Sequence, residues 1–151
     1  MGNIIFKELT FTDENNNNKI NVGEEIELDI TFENTSDENF ENVKAVLKCT
    51  NDLVNITNGN VEINNIAANQ IFNINEFSFI ADNDIKDQTT LFFDIEFYKD
   101  DKVISTTRFS VVTFDKDLLF SEVIVRNDDN NNGILEAGET ADLGVVINNR
   151  G

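Results

Sequence analysis

An all-β sandwich is predicted, and three observations predict it. Polar and apolar residues alternate with period two through most of the chain, as in Glu25, Glu27, Asp29 and Thr31 against Ile26, Leu28, Ile30 and Phe32. That period sends successive side chains to opposite faces of a half-buried strand. The apolar segments are rich in Ile, Val and Phe, with 13 Phe in 151 residues, the residue types that fit a pleated surface. No helical period persists over a helix-length window, and polar turn signals recur at short intervals, as in sandwiches.

A first strand is expected over 4–11. After a polar loop comes the strongest alternation, 25–33, ended by the polar turn 34–39. A third strand over 42–50 puts Val43, Ala45, Leu47 and Cys49 on one face, so Cys49 reads as a buried core thiol. Shorter strands at 53–57 and 61–66 flank the Asn58-Gly59 turn. In 71–80 the apolar phase slips at Asn75-Glu76, which predicts a bulge. Strand 89–98 turns Leu91, Phe93, Ile95 and Phe97 inward and Phe92 and Tyr98 outward, and the turn 99–102 joins it to 103–114 as a hairpin. Phe92 is expected to be covered by a neighbouring sheet or module.

A chain of this length with 40% hydrophobic residues buries a sizeable core. The formal charge of −18 and pI near 4.1 repel phosphates, so nucleic acid and anionic membranes are not expected partners, whereas divalent cations suit the surface. No apolar run reaches the roughly 18–20 residues of a membrane helix, and no membrane insertion is expected. One cysteine makes no intrachain disulfide. With no His and a single Cys no nucleophile–base pair can be assembled; only carboxylate-pair chemistry is left open, and the expectation is a non-enzyme.

Two stretches have the spacing of a twelve-residue calcium loop, in which oxygen side chains at positions 1, 3 and 5, a carbonyl at 7 and a bidentate Glu at 12 surround the ion. In the second, the ligands are Asp128, Asn130, Asn132, the Ile134 carbonyl and Glu139, with Gly133 at the sharp turn and Glu136 able to join through water. In the first they are Asp13, Asn15, Asn17, the Lys19 carbonyl and Glu24, with Asn18 where the template has Gly. Asn is the next most tolerant residue of a left-handed backbone. The second loop is thus the fuller match. Position 8 is apolar in both, Ile20 and Leu135, and is expected to anchor each loop on the core. A strand rather than a helix follows each loop, so calcium is expected to fix a connection between strands rather than to open a groove.

The loops belong to an internal repeat. Overlaying Asp13 on Asp128 gives an offset of 128 − 13 = 115, which pairs Gly23, Glu24, Leu28 and Asn34 with Gly138, Glu139, Leu143 and Asn149. Before the loop the same offset puts Ile4, Ile5 and Leu9 on Leu119, Phe120 and Ile124. Residues 2–116 are then a complete repeat of Ig-like size with about seven antiparallel strands. Residues 117–151 are expected to be the first two strands and calcium loop of a second, truncated repeat, and the chain is then expected to be a piece of a longer protein. So short a segment cannot bury a sandwich core alone. It is expected to pack on the first repeat or to complete a sheet of a neighbouring chain.

Asn15-Asn16-Asn17, Val22-Gly23-Glu24-Glu25-Ile26-Glu27-Leu28, Phe32-Glu33-Asn34-Thr35 and the later stretch from Val61 to Asn69 resemble the Ig-like and CARDB-like β-sandwich modules found in tandem in bacterial and archaeal secreted and surface proteins. The resemblance covers most of 9–114 and departs at Val22 and Ala137, where those modules commonly carry Pro, and at Asn18. It implies a spacer or accessory module, beside peptidases and other hydrolases or within surface proteins and adhesins.

The expected function is a calcium-stabilised structural repeat of an extracellular, secreted or cell-surface bacterial protein, partnered by neighbouring repeats or other copies of the chain. With two or three carboxylates per loop, affinity should be about 10⁻⁴ to 10⁻³ M, as in extracellular modules. The alternative is an accessory binding domain for a glycan or protein ligand. With no Trp and one Tyr, its aromatic platform would be limited to Tyr98 and Phe92.

Overall fold

The computed structural model describes residues 3–115 and 118–149. The expected repeat limits at Gly2, at Lys116 and Asp117, and at Gly151 lie outside them. All regular elements among the described residues are strands, and the chain divides into two units, Met1–Asp115 and Lys116–Gly151.

The alternating segments of the first unit pair into two sheets. Strands β1 (Ile4–Asp13), β3 (Glu25–Asn34), β5 (Val54–Asn58) and β7 (Ile71–Ala81) form an antiparallel sheet in the order β1-β3-β7-β5. The other sheet contains β2 (Ile20–Asn21), β4 (Phe40–Cys49), β6 (Asn60–Ile66), β8 (Thr90–Lys99) and β9 (Lys102–Phe114), in the order β2-β9-β8-β4-β6. All its pairings are antiparallel except β2 with β9, which is parallel.

The inward face of β3 carries Ile26, Leu28, Ile30 and Phe32, and that of β8 carries Leu91, Phe93, Ile95 and Phe97, all buried. They meet between the sheets, where Phe32 stands edge-on to Phe97 at 5.3 Å and Phe79 of β7 lies 4.7 Å from Phe93. Each large side chain so buried contributes about 1.5–3 kcal/mol, so these facing rows dominate the stability of the β-sandwich.

Several local expectations are realised. Leu28 pairs with Phe77 and Ile30 with Ile74, so Asn75 and Glu76 oppose a single residue and the apolar phase slips there. Lys99 pairs with Lys102, and Asp100 and Asp101 take φ of 48° and 59°, the left-handed pair that a two-residue hairpin turn requires.

Others are corrected. The described residues of the unit form nine strands rather than about seven. The two-residue β2 is too short to show a period, and it forms because its backbone finds β9. Asn58-Gly59 is not a hairpin turn: β5 pairs with β7 and β6 with β4, so the chain changes sheet at Gly59. A Cβ there would lie 2.7 Å from Ile56 Cγ2, so a side chain at the crossing would force Ile56 to shift. Cys49 is half-buried at a strand end rather than fully enclosed, and the partial burial pushes its thiol pKa up. Phe92 is 55% exposed, uncovered within its own unit.

The second unit is an antiparallel ribbon of β10 (Leu118–Arg126) and β11 (Asp142–Asn149). Its pairing corrects the expected overlay. Phe6 faces Phe32 and Phe120 faces Ile147, and both ribbons slip one pair later, at Phe6/Glu8 and Phe120/Glu122. The first strands therefore correspond with an offset of 120 − 6 = 114 while the second strands keep 147 − 32 = 115. Asn127, left-handed at φ 52°, is the extra residue. Leu118, Phe120, Val123, Leu143, Val145 and Ile147 are 47–66% exposed; cross-strand pairing puts them on one face of the ribbon. Leu135 is 52% exposed whereas Ile20 is 3% exposed. The expected anchoring of position 8 thus holds in the first loop and not in the second, because no second sheet lies under the ribbon within its own unit.

Candidate metal centre

Both loops are shaped by side-chain oxygens that fold back on backbone amides, the local competition that makes Asn and Asp strong turn formers. In the first, Asp13 Oδ2 accepts from Asn17 N at 2.8 Å, Asn15 Oδ1 accepts from the same N–H at 3.0 Å, and Asn17 Oδ1 accepts from Lys19 N at 2.8 Å. In the second, Asp128 Oδ2 accepts from Asn132 N at 2.8 Å, Asn130 Oδ1 from the same N–H at 3.0 Å, and Asn132 Oδ1 from Ile134 N at 2.7 Å. The closing bond also matches: Asn15 Nδ2 donates to Glu24 Oε1, and Asn130 Nδ2 to Glu139 Oε1, each at 2.6 Å. Asn16 and Asn18 take φ of 55° and 59° where Asn131 and Gly133 take 56° and 75°. Asn18 therefore takes the left-handed turn that the template gives to glycine.

The first loop gathers Asp13, Asn15, Asn17 and Glu24 by direct contacts, while the Lys19 carbonyl accepts from Asn21 N at 3.2 Å. Asp13 and Glu24 are 4% and 7% exposed. Among the described residues neither carboxylate has an ion-pair partner, and Glu24 Oε2 is buried with no hydrogen-bond partner at all. An uncompensated buried carboxylate oxygen is costly, and a cation is the natural complement. The residues fit a hard divalent ion. They offer carboxylate, amide and carbonyl oxygens and neither sulfur nor imidazole, which is the donor chemistry of calcium. Among the described residues no group of three or more His, Cys, Asp or Glu side chains could hold a metal, so amide and carbonyl oxygens would have to complete the shell.

Asn21 was not expected at the site. It is 1% exposed, its Oδ1 accepts from Asn15 Nδ2 at 3.3 Å and Asn17 Nδ2 at 2.8 Å, and its own Nδ2 is buried without a partner. Counting on from Asp13 finds it, since it occupies position 9 as Glu136 does in the second loop. There Asn130 Nδ2 also donates to Glu136 Oε2 at 2.8 Å. Asp128 is buried like Asp13, but Glu139 is only half-buried, so the loop that matches the template more fully is the less enclosed.

What holds the first loop is the surrounding unit. β2 runs from the loop along β9, Val22 N donates to Phe114 O at 3.0 Å, and Gly23 N to Ala81 O at 2.7 Å. Gly23 has φ 77°, and a Cβ on it would lie 2.5 Å from Asn83 Oδ1.

A separate groove of about 440 Å³ lies on the outer face of the five-stranded sheet, lined by Lys44, Val46, Asn60, Glu62, Tyr98 and Asp101 among others. Its ring is held from behind. The Tyr98 hydroxyl donates to Glu96, and Lys48 Nζ lies 2.5 Å from Glu96 Oε2 and 3.2 Å from the Tyr98 oxygen. The Lys48 ammonium lowers the Glu96 pKa, and Glu96 raises that of Lys48.

No family model matches the chain, and no curated protein matches it. A solved β-glucuronidase from glycoside hydrolase family 2 is similar over 79% of this chain, with a TM-score of 0.49 and 12% identity. The chain spans 13% of that structure's length.

Proposed function

We propose that this chain is a non-catalytic, calcium-stabilised structural module of an extracellular bacterial protein, in which the ion staples the strand connections of an Ig-like, CARDB-like sandwich. The observation that carries the reading is the buried, unpartnered Glu24 Oε2 beside buried Asp13. When bound, calcium supplies the positive charge these carboxylates lack. Asp13, Asn15, Asn17, the Lys19 carbonyl and Glu24 would hold it, with Asn21 adjoining. Because the loop joins β1 to β3 through β2, and β2 lies along the last strand β9, a bound ion ties the first and last strands of the module together and stiffens its exit.

Residues 117–151 are read as the opening strands of a second such module, with Asp128, Asn130, Asn132, Ile134 and Glu139 as its calcium loop. The exposed apolar row of β10 and β11 corresponds to the partly buried row of β1 and the buried row of β3. Strands of a neighbouring repeat or of another copy of the chain would cover it.

The test is calcium titration by calorimetry and native mass spectrometry. Binding near 10⁻⁴ to 10⁻³ M is expected. No uptake at roughly ten times that range rejects the reading. Light scattering over a concentration series tests the ribbon: self-association that ends on Val145→Lys substitution supports coverage by another copy, and a monomer at every concentration rejects it.

A second reading, an accessory binding domain, is favoured by the Tyr98 groove. Its mixed Lys44, Glu62 and Asp101 lining suits neither a strong anion nor a strong cation, and an aromatic ring beside polar side chains suits a neutral glycan. Saturation-transfer NMR with neutral oligosaccharides, comparing wild type with Tyr98→Ala, tests it. Absence of any Tyr98-dependent signal rejects it.

A further inference from the structure

We propose that Asn15 sets the affinity of the first loop by acting as a stand-in that the cation must displace, an inference that rests on the calcium reading above. Its amide nitrogen, and not its oxygen, faces Glu24, donating to Glu24 Oε1 at 2.6 Å and to the adjoining Asn21 Oδ1 at 3.3 Å. Its amide oxygen points away and accepts from Asn17 N at 3.0 Å. The stand-in is incomplete. Glu24 Oε2 and Asn21 Nδ2 stay buried and unpartnered, so the amide lends a partial positive charge to one carboxylate oxygen and leaves the other unmatched.

To serve as a ligand, Asn15 must turn its amide half a revolution about the Cβ–Cγ bond. Its oxygen then faces Glu24 Oε1 and Asn21 Oδ1, oxygen against oxygen, an arrangement stable only with positive charge among them. The turn gives up three bonds, to Glu24 Oε1, Asn21 Oδ1 and Asn17 N, yet keeps the shape of the loop, because Asn17 N still donates to Asp13 Oδ2 at 2.8 Å. Loading therefore exchanges an amide donor for a divalent ion. The exchange weakens binding and keeps the metal-free loop ordered. An aspartate at this position would do the reverse. It has no N–H to give Glu24, so the metal-free loop would hold three repelling carboxylates, while the added charge would raise affinity. The second loop carries the same bond, from Asn130 Nδ2 to Glu139 Oε1, which makes the device a property of this loop type in the chain.

The experiment compares wild type, Asn15→Asp and Asn15→Ser in the full chain, each carrying Glu139→Gln to weaken the second loop. It measures calcium affinity by calorimetry and melting in chelator. Asn15→Asp is expected to bind calcium about tenfold more tightly and to melt roughly 3–6 °C lower without metal. Asn15→Ser should share the lower metal-free melting without the gain in affinity. Unchanged metal-free melting in both variants, or unchanged affinity in Asn15→Asp while wild type binds calcium, overturns the stand-in role alone. Absence of calcium binding in all three overturns the calcium reading and this inference with it.

Discussion

Replacing Glu24 by Gln separates the metal's contribution from that of the loop itself. Its side chain closes the first loop through Oε1 and buries Oε2 without a partner. Gln keeps an acceptor for Asn15 and removes the charge and the bidentate grip. With a dissociation constant of 10⁻⁴ to 10⁻³ M, 10 mM calcium stabilises the wild-type module by RT ln(1 + [L]/Kd), about 1.4–2.7 kcal/mol. For a unit the size of Met1–Asp115, the unfolding entropy is about 0.24 kcal/mol/K, so calcium should raise Tm by roughly 6–11 °C. In Glu24→Gln that shift should fall to about 1–2 °C, while melting in EDTA should not fall, because a buried charge without a counter-ion has been removed. Differential scanning calorimetry in 10 mM calcium and in EDTA reads both numbers. A variant that keeps the full calcium shift, or that melts lower than wild type in EDTA, refutes the assignment of Glu24 as the residue that needs the ion.

Phe32→Ala should cost about 3–5 kcal/mol by urea denaturation, since the ring is fully buried between Phe72 and Phe97; a loss under about 1 kcal/mol would contradict the packing of the two sheets. Gly23→Ala should cost about 1–2 kcal/mol, because its φ of 77° disfavours a side chain and the new Cβ meets Asn83, and it should weaken calcium binding as well. Arg108 forks onto Asp94 at 2.7 and 2.8 Å and holds that carboxyl below its ordinary range. A carboxylate whose pKa is lowered by folding contributes stability above its unfolded pKa of about 3.9 and loses it as pH falls through the lower folded value. Arg108→Ala should therefore lower Tm slightly at pH 7, with the difference from wild type closing below about pH 4; a difference that persists at pH 2 would count against the pair. The pair is exposed and screened, so a large effect is not expected.

Much of this was legible because the information is local. The alternation in 25–33 and 89–98 marks which side chains turn inward whatever lies opposite, and the slip at Asn75-Glu76 and the Asp100-Asp101 turn are written in the phase and in the residues. The shape of the two loops followed from spacing for the same reason, since the turn is made by each side chain bonding an amide two or four residues on.

Residue order alone settled that this is an all-β chain with two like loops, and it named the oxygens each loop can offer. Only the tertiary structure decided which loop is enclosed. Ile20, Val22, β9 and the bond from Gly23 to Ala81 come together across nearly a hundred residues, and they bury Asp13, Asn21 and Glu24. The second loop has the better motif and lacks that cover. Burial depends on what distant strands place above a residue, and here it leaves one carboxylate oxygen of an acidic turn enclosed without a hydrogen-bond partner.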